Sequence, residues 1–75
     1  MLRKQYTFVD VETDNVLSVL DEETFEQTDI NKGDIVIISD SEYEVITDVQ
    51  KIINLDTNKI IFRYLVKIKY NIDSN

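Results

Sequence analysis

Lys59-Ile60-Ile61-Phe62-Arg63-Tyr64-Leu65-Val66-Lys67-Ile68-Lys69-Tyr70 has the clearest alternation in the chain. Ile60, Phe62, Tyr64, Val66, Ile68 and Tyr70 fall on one side, and Lys59, Ile61, Arg63, Leu65, Lys67 and Lys69 on the other. Successive side chains of a strand point to opposite faces, whereas a helix would scatter the same set around its axis. The pattern predicts one long strand with an apolar face on a core.

Upstream, residues 54–58, Asn-Leu-Asp-Thr-Asn, read as a hairpin loop. Before it, Tyr43, Val45, Thr47 and Val49 alternate with Glu44, Ile46, Asp48 and Gln50. That strand continues through Lys51-Ile52-Ile53, where the apolar phase breaks and a bulge is expected. Asp40-Ser41-Glu42 reads as its leading turn. Asp34-Ile35-Val36-Ile37-Ile38-Ser39 is a short continuous apolar run between turn signals, which predicts a central strand covered on both faces. Residues 30–34 form a tight turn with Gly33 at its left-handed position.

Nearer the N-terminus, residues 6–12 predict a strand with Tyr6 and Phe8 on one side and Val9 and Val11 on the other. Thr13-Asp14-Asn15 is a turn, and residues 16–20 return as the second strand of a hairpin. Their apolar positions, 16, 17, 19 and 20, also fit a short helix. Residues 21–29 are a polar connection, which Phe25 anchors to the core. Residues 71–75 are a polar, frayed tail.

Composition agrees with strands. The chain has 75 residues, so it holds one domain at most. Ile (11), Val (8), Tyr (4), Phe (3) and Thr (6) supply 32 residues suited to a pleated, half-buried surface. Alanine, the best helix former, is absent. Five strands would bury this much Ile and Val by curling into a small barrel. The expected architecture is all-β, an N-terminal hairpin followed by a three-stranded antiparallel meander. Within it, Lys32-Gly33-Asp34-Ile35-Val36-Ile37-Ile38, then Glu42-Tyr43-Glu44-Val45, then Val49, resembles the GDxV…YxV…V pattern of SH3-like small barrels. The resemblance spans about residues 30–70 and implies a five-stranded SH3-like barrel. The chain lacks the Trp and Pro of the peptide-binding SH3 groove, and the basic residues and further glycines of nucleic-acid-binding barrels. No site residue carries over from the family.

The missing residue types narrow the chemistry. With no His and no Cys, disulfides, thiolate metal sites and His or Cys catalysis are excluded. A single glycine excludes phosphate-cradling glycine-rich loops. Asp10, Glu12 and Asp14 alternate and Asp21, Glu22 and Glu23 adjoin, but neither group has the spacing of a calcium hand. No carboxylate has a context that marks a raised pKa, so neither catalytic residue, metal nor cofactor is expected. No apolar run nears the ~18 residues of a membrane span. None of signal-peptide length follows Met1-Leu2-Arg3-Lys4-Gln5. A cytoplasmic protein without membrane contact is expected.

Charge is the unusual feature. Residues 1–50 hold 13 acids and 3 bases, and residues 51–75 hold 2 acids and 5 bases, for a net charge of −7. Phosphate contacts need Lys and Arg, so direct nucleic-acid binding is disfavoured. Lys59, Arg63, Lys67 and Lys69 make only a thin stripe, of the kind that blocks strand-to-strand aggregation. The expected function is non-enzymatic binding. Asp10, Glu12, Asp14, Asp21, Glu22, Glu23, Glu26 and Asp29 would dock on a basic surface of a partner protein. In size and charge, and by class only, the chain resembles small acidic proteins of phages and mobile elements, including anti-CRISPR and other anti-defence inhibitors that mimic nucleic acid. Such a protein would work in the bacterial host cell. The alternative is a structural module that self-associates, or a small phage component, using an exposed edge strand or the Ile61 and Leu65 face. Tyr6, Tyr43, Tyr64 and Tyr70 read as core or core-edge residues rather than a stacking surface.

Overall fold

The long alternating segment is the spine of the molecule. A computed structural model describes residues 2–23, 25 and 30–71, with the Asn71 side chain left out. The strands are β1 (Arg3–Asp10), β2 (Val16–Asp21), β3 (Ile35–Ile38), β4 (Ser41–Val45), β5 (Gln50–Asn54) and β6 (Lys59–Asn71). At about 3.3 Å per residue, the 13 residues of β6 nearly span the longest dimension, 46 Å. Every other strand except β2 and β3 pairs with it directly.

The sheet order is β2-β1-β6-β4-β3, with β5 also on β6, and the sheet curls into a half-barrel. This corrects the five-stranded antiparallel expectation in two respects. The described residues form six strands, because the segment read as one strand over residues 43–53 is broken at residues 46–49. Val45 pairs with Val66 and Gln50 with Arg63, so the break sets four residues against two on β6. Ile46 keeps the two halves aligned by donating its N–H to the Leu65 carbonyl at 3.1 Å. Second, β1 lies beside β6 in parallel, from Arg3 opposite Lys59 to Asp10 opposite Val66. A parallel pair needs a long crossover, and everything between the first and last strands supplies it.

The parallel pair builds the core. Tyr6 stacks on Phe62 at 5.3 Å and Phe8 on Tyr64 at 4.9 Å, each ring opposite its ladder partner. Aromatic pairs of this kind are worth about 0.5–1.5 kcal/mol each beyond the area they bury. Phe25 completes the cluster against Tyr6 at 4.7 Å and Phe8 at 6.4 Å, so it does anchor its connection. Tyr43, Val45 and Val66 extend the cluster, and Leu17, Leu20, Ile30, Val36 and Ile38 pack against it. On the opposite face of β1, Thr7 and Val9 are also buried. Val9 sits between Leu65 and Val16, which explains the half-buried Leu65 as part of a second, smaller apolar seam.

The strand expected over residues 16–20 is present as Val16–Asp21, and the short helix that its apolar spacing also allowed is not. Three further expectations change. Ile35–Ile38 is an edge strand that pairs only β4, not a central one, and Ile35 and Ile37 are exposed. A run of four apolar residues looks the same at an edge as in a centre, so periodicity could not separate the two. The turn before β4 is Ser39–Asp40, with φ of 50° and 62°, so Ser41 already belongs to the strand. Finally, the β4–β6 register slips between Glu42 and Tyr43. Tyr70 therefore pairs with Glu42 and is 57% exposed, outside the core face. Gly33 does take the left-handed turn position, at φ 97°. Residues 72–75 of the expected tail lie outside the described residues.

Candidate functional site

The carboxylates named from the sequence divide along one hairpin. Asp10, Glu12 and Asp14 belong to the β1–β2 turn, and Asp21, Glu22 and Glu23 to the far end of β2. Glu26 and Asp29 lie outside the described residues. Since β2 has 6 residues, the two groups are separated by about 20 Å of strand at ~3.3 Å per residue.

Asp10 is occupied by the turn itself. It is buried, and its carboxylate accepts the Glu12 N–H at 2.9 Å. Its own N–H donates to the Asn15 carbonyl at 2.9 Å, and its carbonyl accepts the Asp14 N–H at 2.7 Å. Asp14 can close this turn at φ 60° because a short polar side chain tolerates the left-handed region. Replacing Asp10 by alanine should cost about 1–2 kcal/mol of stability, the loss of a charge-assisted bond to a backbone donor. Chemical denaturation would measure it, and a change in affinity for a cationic partner at unchanged fold would contradict the structural assignment.

Glu12, Asp14, Glu22 and Glu23 are exposed, and so is Asp21, whose carboxylate accepts the Glu23 N–H at 3.0 Å. Cations from elsewhere in the fold reach two of them. Asp14 lies 3.9 Å from Arg63, and Glu23 lies 3.7 Å from Arg3. Both pairs are solvated and hold their partners weakly. Glu12 and Glu22 have no ion pair among the described residues. A shallow depression of about 330 Å³ beside the second group is lined by Arg3, Lys4, Lys59, Asp21 and Glu22, so its charge is mixed.

Between the two acidic ends, β2 presents Val16 and Val19, 58% and 53% exposed, and β2 is an edge strand of the sheet among the described residues. The sequence places both valines on the second strand of the hairpin and does not show that they are bare. Which face of a hairpin is covered depends on what lies beside it, and no local pattern reports that. Along β2 the order of exposed residues is therefore carboxylates, two valines, carboxylates.

The basic residues of β6 do not form an uninterrupted stripe. Lys69 pairs with Glu44 at 3.5 Å and Arg63 with Asp14. Lys67 also stands opposite Glu44 in the ladder. Tyr6, Tyr43 and Tyr64 are buried, which leaves no row of exposed tyrosines along the strands. Among the described residues no group of three or more His, Cys, Asp or Glu is placed to hold a metal ion. No helix among them is long and apolar enough to cross a membrane. A second, more apolar groove of about 420 Å³ opens on the concave face, lined by Phe8, Leu17, Leu20, Phe25, Val36 and Ile38. No family model matches the chain, and neither a curated protein nor a solved structure is significantly similar to it.

Proposed function

We propose that this is a non-enzymatic binding protein that docks the acidic β2 strip on a basic surface of a partner protein. The observation that carries the reading is the arrangement along β2. Two groups of exposed carboxylates flank Val16 and Val19 on a free sheet edge. An apolar centre supplies the contact that is removed from water, and charged ends set orientation and speed encounter. Glu12, Asp14, Asp21, Glu22 and Glu23 make the contact, and Asp10 holds the turn that presents them. A basic nucleic-acid channel is the surface such a strip suits best. The protein then blocks it as a phosphate mimic, in the manner of phage and mobile-element inhibitors. Its site of action is the cytoplasm of the bacterial cell.

Purified DNA- and RNA-processing enzymes with basic channels are the panel that checks this, assayed at ~0.05 and ~0.5 M salt. A true partner is expected to bind at least ~10-fold more weakly at the higher salt. The variant Glu22→Lys with Glu23→Lys should slow association by about tenfold. Tight binding that ignores both salt and the charge reversal would sink the mechanism.

A further inference from the structure

Among the described strands, the side of β3 away from β4 is the least protected edge. Its four residues are Ile35, Val36, Ile37 and Ile38, with no charge and no proline to blunt it. The two-residue turn at Ser39–Asp40 makes Ile38 and Ser41 a hydrogen-bonded pair, and by alternation Val36 and Tyr43 as well. The N–H of Val45 donating to the Asp34 carbonyl at 2.9 Å continues that alternation. The N–H and C=O groups of Ile35 and Ile37 therefore point away from β4, toward the open edge. Both side chains are exposed, Ile37 at 64%.

We infer that this edge pairs with the same edge of a second copy of the chain, antiparallel about a two-fold axis at Val36. Two conditions select the register. Paired residues must share a face, and outward-pointing backbone groups must oppose each other. Setting Val36 opposite itself satisfies both, because Ile35 then meets Ile37 of the second copy and Ile37 meets its Ile35. Each pair exchanges two backbone hydrogen bonds, and the four isoleucines form two cross-strand contacts on the convex face. Strand length then discriminates between neighbouring registers. In this one both outward-facing residues, Ile35 and Ile37, are paired within the strand. A shift that sets Ile37 opposite itself leaves Ile35 against Ser39, which is already in the turn. Lys32 is the only base between residues 10 and 48, and the two-fold axis brings its turn to the end of the edge that carries the Asp40 turn of the second copy. The pairing joins two half-barrel sheets into one continuous sheet and leaves the β2 strip free. It does not depend on the docking reading.

Sedimentation of the full chain from ~10 μM to ~1 mM, with amide exchange followed residue by residue, tests this. The expected result is a mass rising from 8.8 kDa to twice that value, with exchange at Ile35 and Ile37 slowing as the dimer fills. Ile37→Lys should abolish the dimer over the whole range, since a charge on the edge opposes strand addition. Lys32→Glu, an exposed change with no bearing on the core, should weaken it about tenfold. A chain that stays monomeric at ~1 mM, a dimer indifferent to both substitutions, or a dimer whose Ile35 and Ile37 amides still exchange freely would overturn the proposal.

Discussion

Replacing Tyr64 by alanine is expected to lower the unfolding free energy by about 3–5 kcal/mol, and replacing Tyr70 by less than about 1 kcal/mol. Both tyrosines sit on β6, and the alternation of the sequence assigns them to one face. The register slip at Glu42/Tyr43 separates them. Tyr64 is buried against Phe8, and Tyr70 is turned to Glu42 in solvent. A domain of this length is expected to have a total stability of about 4–11 kcal/mol, from 0.05–0.15 per residue. The Tyr64 variant should therefore lose from about a quarter to all of its stability and unfold at a much lower urea concentration, while the Tyr70 variant keeps its midpoint. Urea titration followed by circular dichroism would show the difference. Equal losses at the two positions would mean that β6 keeps an unbroken phase to its end.

Val66→Asp should leave no folded population at neutral pH. Val66 is 0% exposed and stands between Val45 on β4 and the buried Asp10 on β1. An aspartate there would be a desolvated charge beside another carboxylate, with no cation among the described residues shown paired to Asp10. Unpaired buried charges cost several kcal/mol, which rivals the whole stability of a chain this small. Val66→Ala removes only two methyl groups' worth of packing and should cost about 1.5–3 kcal/mol. A two-dimensional amide spectrum separates the outcomes. The Val66→Ala spectrum stays dispersed, and the Val66→Asp spectrum collapses to random-coil shifts. A dispersed spectrum for Val66→Asp would show that the junction of β1, β6 and β4 is hydrated rather than a packed centre.

The candidate site was legible residue by residue but not in its arrangement. Glu12, Asp14, Glu22 and Glu23 could be named because acidic residues crowd the first two-thirds of the chain. That Asp10 turns inward was half visible, since Asp and Asn around a turn commonly bond their own backbone. The exposed Val16 and Val19 were not visible. A valine in a strand is covered or bare according to its neighbour, and among the described strands β2 has a neighbour on one side only. The same reason hid the edge position of β3. Its Ile-Val-Ile-Ile run satisfies a central strand as well as an edge, and only the sheet order distinguishes them.

The period of two in residues 59–70, the turn residues and the wealth of β-branched side chains settled by themselves that the chain is made of strands, because these are local steric preferences of each residue. They also settled that Phe25 leads back to the core and that Gly33 takes positive φ. Strand order, the parallel pairing of β1 with β6, the split of β4 from β5 and the slip that exposes Tyr70 were decided only in the tertiary structure. Each depends on which distant segment satisfies a strand's edge. Backbone hydrogen bonds are chemically alike along the chain, so the choice among partners rests on how side chains from remote positions pack together.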